Sequence, residues 1–267
     1  MGALIVNIWD VILLGAVQGL TEFLPISSSG HLILLHHLLG NSIDNLSFDV
    51  ALHLGTLLSL AAFYWNEWRI IGFKKVSLNK NSPYRRLFIL VVVASIPTAI
   101  IGLTFRHAVE ELSAGSRWLA AGFLLNAILL FMAQASDRLR RSHSDITTVH
   151  GFWIGMAQGA AIIPALSRSC STISMALLLG VDRSKAVLFS FLISIPAIAG
   201  ACFLEIPKIN WHTVSLKLVG TGILTSFIFG LIGILAVKRL VKNGQLHYFA
   251  IYLLAVTAWT YWHFGQL

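Results

Sequence analysis

Charge is scarce in this chain. Only 11% of its 267 residues are Asp, Glu, Lys or Arg, against 57% hydrophobic residues and a mean hydropathy of +0.79. That balance excludes an ordinary soluble domain of this size. Cysteine is nearly absent: Cys170 and Cys202 both lie in apolar runs, so neither a disulfide framework nor a zinc spacing can be read. Acidic residues number 11 against 19 Lys and Arg, giving a net charge of +8. The excess sits in short loops between apolar runs rather than along one helix face or in a tail, a pattern that marks membrane topology and not nucleic-acid binding. The first segment has no basic n-region and no Ala-x-Ala cleavage site, so it is not read as a signal peptide. No polar stretch is large enough for a soluble domain, and residues 1–267 are read as a single integral membrane domain.

What the chain has in abundance is apolar runs long enough to cross a hydrocarbon core, which takes about 20 residues of helix. Six are predicted as spans: 48–65, 87–105, 118–135, 186–204, 218–237 and 248–264. Between the first two lie Arg69, Lys74, Lys75, Lys80, Arg85 and Arg86 against a single Glu67; later loops carry Arg138, Arg140 and Arg141, then Lys238, Arg239 and Lys242. Loops of this kind belong in the cytoplasm. Threading the spans through them puts loops 106–117 and 205–212 and the C-terminus outside. Residues 1–47 must then start and finish outside, and 136–185 must start and finish inside. Each of these stretches has to enter the membrane and return.

Both are broken by the same punctuation. The first has Gly15, Gln18 and Gly19, then Pro25 and Ser27-Ser28-Ser29; the second has Gly155, Gln158 and Gly159, then Pro164 and Ser167-Arg168-Ser169. Weaker echoes pair Ser47-Phe48 with Ser190-Phe191, and Ser95 and Pro97 with Ser194 and Pro196. Interrupted hydrophobic segments in two halves of opposite topology point to a binding site at the repeat interface. The predicted fold is all-α: a polytopic membrane helical bundle of two inverted-topology repeats, about 1–135 and 136–267, each with a re-entrant helix pair and about three spanning helices.

Irregular backbone survives in a bilayer only where protein or a polar cavity surrounds it. Each Ser cluster sits where a helix N-cap belongs, and a helix N-terminus is an anion site. Arg168 at membrane depth needs a partner: its fork suits phosphate oxygens, and pairing with Glu22 or snorkelling to the interface is the competing reading. Glu22 shares a helix face with Gln18, four residues earlier, and is a candidate general base, metal ligand or structural partner of Arg168. His31, two residues past the Ser cluster, is a candidate nucleophile, acid or helper, or else a core histidine. Asp49 and His53 are placed near the cavity without a catalytic role, and His36 and His37 as packing or interfacial residues.

Gln18 through His31 is similar to the Glu/Gln-x-x-x-Glu motif and the following Ser-Ser-x-Gly-His of the undecaprenyl-diphosphate phosphatases, or bacitracin-resistance proteins. Pro164 through Cys170 resembles the family's second motif, Pro-Gly-x-Ser-Arg-Ser-Gly, with Ala165 and Cys170 where the family usually has glycine. The resemblance extends over the whole chain in length and segment order. It implies hydrolysis of undecaprenyl diphosphate to the monophosphate carrier and inorganic phosphate, which recycles the lipid for peptidoglycan synthesis. It implies Glu22, His31 and Ser28 as catalytic residues, Gln18, Ser27, Ser29, Ser167, Arg168 and Ser169 as the substrate clamp, and a divalent cation such as Mg2+ or Ca2+ at Glu22. Gln18 removes one carboxylate of the pair suspected of holding that cation. The expected surroundings are the bacterial inner membrane with both termini outside, a polyprenyl diphosphate lipid as partner, a homodimer as the one protein partner considered, and no nucleic acid. A carrier that flips a lipid phosphate is the rival, since inverted repeats with broken helices also build transporters.

Overall fold

A computed structural model describes residues 7–40, 45–72, 83–112, 117–139, 144–208 and 215–264. Lys74, Lys75, Lys80, Arg140 and Arg141 lie outside the described residues. The chain forms helices α1 (Ile8–Phe23), α2 (Ser28–Leu39), α3 (Asn45–Phe63), α4 (Trp65–Gly72), α5 (Pro83–Leu112), α6 (Arg117–Leu139), α7 (Thr148–Ala160), α8 (Arg168–Leu178), α9 (Arg183–Glu205), α10 (Leu216–Lys242) and α11 (Leu246–Phe264). It is a multi-pass helical membrane protein.

The two expected re-entrant pairs are α1–α2 and α7–α8. Their helices hold 16, 12, 13 and 11 residues, so at a rise of about 1.5 Å per residue none spans a core of about 30 Å. The breaks follow from local chemistry. Pro25 excludes the preceding residue from the α region, and Leu24 is extended at φ −63°, ψ 139°. Ser27 then caps α2 by accepting the Gly30 amide at 3.3 Å, and Ser167 caps α8 by accepting the Cys170 amide at 3.2 Å. The second serine of each motif repeats too: Ser27 and Ser29 Oγ are 3.3 Å apart, Ser167 and Ser169 Oγ 3.1 Å.

Four of the six predicted spans are long and apolar enough to cross a membrane: Arg85–Phe105, Trp118–Leu139, Arg183–Glu205 and Leu216–Lys242. Among the described residues the other two predicted spans are the further apolar helices α3 and α11, of 19 residues each. Helix α3 ends where the chain breaks at Tyr64 and restarts as α4. Helix α11 has 19 residues and carries His247, Tyr248, Tyr252, Tyr261 and His263 among its apolar side chains.

Packing interlocks the halves. Helix α1 lies against α10 and α7 against α5, so each half's first re-entrant helix packs on a spanning helix of the other half. Glycine permits this approach: a Cβ at Gly19 would stand 2.6 Å from Ser226 O, and one at Gly155 would collide with the Ala94 backbone. The charged ends gather at one end of the bundle. Arg183 Nε donates to Asp137 Oδ2 (2.7 Å) and its Nη1 to Lys242 O (3.2 Å), Arg86 donates to Ile146 O (2.8 Å), Lys185 pairs with Asp145, and Lys238 Nζ sits 4.7 Å from the Phe63 ring centroid.

Candidate active site

The two breaks meet. Ser169 Oγ, from the second motif, donates to Leu24 O of the first at 3.0 Å. Beside this contact lies Glu22, on the last turn of α1, with its side chain only 5% exposed. A carboxylate so buried needs donors, and it has them. Gln18 Nε2 donates to Oε2 at 3.0 Å and Ser28 Oγ to the same oxygen at 2.6 Å, while Arg168 Nη1 donates to Oε1 at 3.2 Å. His53 Nε2 stands 3.6 Å from Oε2. The shared helix face inferred for Gln18 and Glu22 is thus a direct hydrogen bond. Arg168, the candidate phosphate fork, spends one nitrogen on Glu22 and is still 27% exposed.

His31 stands apart from this cluster. Its Nδ1–H donates to Ser27 O at 2.6 Å, which leaves Nε2 to accept from Tyr252 Oη at 2.8 Å. The ring stacks on Tyr252 with centroids 5.7 Å apart and meets the edge of Phe123. It braces the first motif against α11 rather than touching Glu22. His36, left as a packing residue, is bonded to Asp49 at 3.1 Å.

His53, placed near the cavity by the sequence without a catalytic role, and Asn126, which the sequence did not single out, both belong to the site. His53, four residues after Asp49, is held by its Nδ1–H donating to Asp49 O at 2.7 Å, which aims Nε2 at Glu22; the i, i+4 spacing showed only a shared face. Asn126 of α6 is fully buried. Its Nδ2 donates to Ala165 O at 2.7 Å, and its Oδ1 accepts the Ser167 amide at 2.9 Å. One side chain therefore clamps both ends of the turn that launches α8. The turn is strained, since Ala165 has φ 59°, a left-handed conformation that a non-glycine residue adopts at a cost of about 1–2 kcal/mol. This is one of the two positions where the motif resembled has glycine. At the other, the Cys170 thiol points to Asn126 O at 3.5 Å.

Among the described residues no group of three or more His, Cys, Asp and Glu side chains could hold a metal ion. Magnesium commonly takes one or two carboxylates with the rest of its shell from phosphate and water. For that mode the residues fit: Glu22 supplies the carboxylate, and Gln18 Oε1 beside it is buried without a hydrogen-bond partner.

Residues 11–259 match the family described as bacitracin resistance protein BacA. The chain is 36% identical over 260 residues to an undecaprenyl-diphosphatase of Methanosphaera stadtmanae, covering 92% of this chain and 94% of that protein. It is 37% identical over 267 residues to one of Desulfosudis oleivorans (94% and 96%) and 39% identical over 251 residues to one of Halothermothrix orenii (92% and 94%).

Proposed function

Because the chain belongs to the bacitracin resistance protein BacA family, we propose that it is a membrane phosphatase that hydrolyses undecaprenyl diphosphate to undecaprenyl phosphate and inorganic phosphate, returning the lipid carrier to cell-wall synthesis. The observation that carries the site assignment is the convergence on Glu22 of Ser28 from its own half and Arg168 from the other.

Ser28 Oγ–H already points at a carboxylate oxygen, the relation of a nucleophile to its base. Glu22 takes that proton as the oxygen attacks the terminal phosphorus in line; the bond to the bridging oxygen breaks, Glu22 passes the proton to that oxygen and undecaprenyl phosphate leaves. Glu22 then takes a proton from water as it attacks the phosphoserine and returns it to Ser28 Oγ as inorganic phosphate departs. Charge on the transferring group falls to Arg168, Ser27, Ser29, Ser167 and Ser169 and to the first-turn amides of α2 and α8. An arriving diphosphate competes with Glu22 for the Arg168 fork; moving the fork to phosphate frees Oε1. His31 supports the motif's backbone and His53 orients Glu22. A divalent cation, Mg2+ or Ca2+, belongs to the proposal: Glu22 and Gln18 Oε1 would hold it, and it would neutralise diphosphate charge. The basic end of the bundle is assigned to the cytoplasm of the bacterial inner membrane and the termini to the outside.

Phosphate release from the purified protein in detergent, with and without chelator, tests this reading. Transport has no meaning without two compartments, so release in detergent separates an enzyme from a carrier. Release of phosphate that stops with chelator is expected; no release from wild type sinks the proposal.

A further inference from the structure

Each break in the bundle holds one non-glycine residue in the left-handed region, and among the described residues these are the only two: Ala165 at φ 59° and Ser27 at φ 74°. Such a conformation persists where its surroundings over-determine it. At Ala165 the clamp is Asn126. At Ser27 it is His31, whose backbone amide and Nδ1–H both donate to Ser27 O, at 3.2 and 2.6 Å. The second half has no equivalent. Ser171 follows its cap Ser167 by four residues, as His31 follows Ser27, but only its amide returns to the cap carbonyl (2.9 Å), and its buried Oγ has no hydrogen-bond partner.

Helix α6 carries the first break as well as the second. Its Phe123 ring lies so close to Gly30 that a Cβ there would meet it at 2.6 Å, and it faces His31 edge-on with centroids 5.3 Å apart. Helix α11 packs on α6 and closes the other face of the imidazole with Tyr252, stacked on the ring and with Oη 2.8 Å from Nε2.

A neutral imidazole carries one N–H. Ser27 O can only accept, so the proton has to be on Nδ1, and Nε2 is left as an acceptor in need of a donor. Tyr252 Oη–H supplies it and so selects the tautomer from the far side of the ring. Without that hydroxyl the proton is free to move to Nε2, and Nδ1 then turns a lone pair toward the lone pairs of Ser27 O.

Resting on the phosphatase reading above, we propose that Tyr252 is a positioning residue for Ser28. Its hydroxyl holds His31 in the Nδ1–H tautomer, His31 holds Ser27 in its left-handed turn, and that turn aims Ser28 Oγ at Glu22. Ser28 opens α2 directly after Ser27, so any relaxation of Ser27 swings its side chain off the carboxylate.

Tyr252→Phe keeps the ring and its stack and removes only the hydroxyl. In protein labelled with 15N-histidine and held in detergent, the His31 signals are those missing from His31→Asn. Wild type should show a protonated Nδ1 and a bare Nε2, and Tyr252→Phe should gain the Nε2–H form; an unchanged tautomer overturns the proposal. On undecaprenyl diphosphate, Tyr252→Phe should lower kcat about tenfold and move KM by less than about twofold, because the aim of the nucleophile acts on the chemical step. A shifted tautomer with wild-type kcat overturns the proposal too, since the lock would then not reach Ser28. Asparagine offers an N–H at the δ position and has no tautomers, so Tyr252→Phe added to His31→Asn should cost nothing further. A second tenfold loss in that background would place the hydroxyl's effect elsewhere. A wild-type protein that releases no phosphate overturns the phosphatase reading, whereas the tautomer readout judges the Tyr252–His31 lock without any activity.

Discussion

Glu22 accepts from Gln18, Ser28 and Arg168 at once, and its isosteric replacement separates charge from shape. Glu22→Gln keeps the volume but removes the base, so kcat should fall by a factor of about 10²–10⁴, the usual worth of general-base catalysis. Leaving Arg168 without its counter-charge destabilises as well, by a few kcal/mol. A purified variant that stays monodisperse but retains most of the wild-type kcat would make Glu22 structural. Arg168→Lys keeps the charge and loses the fork. It should lower kcat by roughly two orders of magnitude while KM moves little, the signature of an interaction made in the transition state. A steep rise in KM at constant kcat would instead make Arg168 a substrate anchor. These residues were legible because an acid and a cation inside apolar runs demand a reason. His53 was legible as a residue near the cavity but not as a neighbour of Glu22, because a histidine four residues from an aspartate is equally at home on any helix face, and only the fold brings α3 against α1.

At the scale of elements, the two breaks were legible in the chain and the clamp on the second was not. Pro25 with Ser27-Ser28-Ser29 and Pro164 with Ser167-Arg168-Ser169 announce where helices must stop and restart. A lone asparagine amid the apolar residues of α6 announces nothing, yet Asn126 holds both Ala165 O and the Ser167 amide. Asn126→Ala leaves two buried backbone groups unpaired, each at a cost of about 1–3 kcal/mol, in a turn already strained at Ala165. The expected result is a lower Tm together with a kcat loss that approaches that of Arg168→Lys, because the turn sets the direction in which the guanidinium leaves α8. Reading kcat against Tm distinguishes this from general loosening: a variant with depressed Tm but wild-type kcat would show that Asn126 stabilises the turn without aiming it.

Over the whole molecule, basic residues mark one face of the bundle and tryptophans mark both. The ends that carry Arg69, Arg138, Lys238 and Lys242 share one face of the bundle through the Arg183, Arg86 and Lys238 contacts. Exposed Trp9, Trp118 and Trp262 lie on helix ends belonging to the opposite face, and Trp65 and Trp153 near the basic one, the double belt expected at two membrane interfaces. The orientation proposed above, with the basic face in the cytoplasm by the positive-inside rule, is open to test. Single cysteines at Ser42 and Ala114 should react with a membrane-impermeant maleimide added to intact cells, and those at Ser77, Ser142 and Asn243 only after permeabilisation. Of these positions only Asn243 lies within the described residues. The native thiols add little background, since Cys170 is fully buried and Cys202 is 5% exposed. The test reaches beyond orientation. Residues 1–47 and 136–185 can each return to the side they left only if α1–α2 and α7–α8 are re-entrant, so labelling of Ser42 from outside together with protection of Ser77 requires an odd number of crossings between them, which α3 alone supplies. Labelling of Ser77 in intact cells would invert the assignment and put the basic face of the bundle outside.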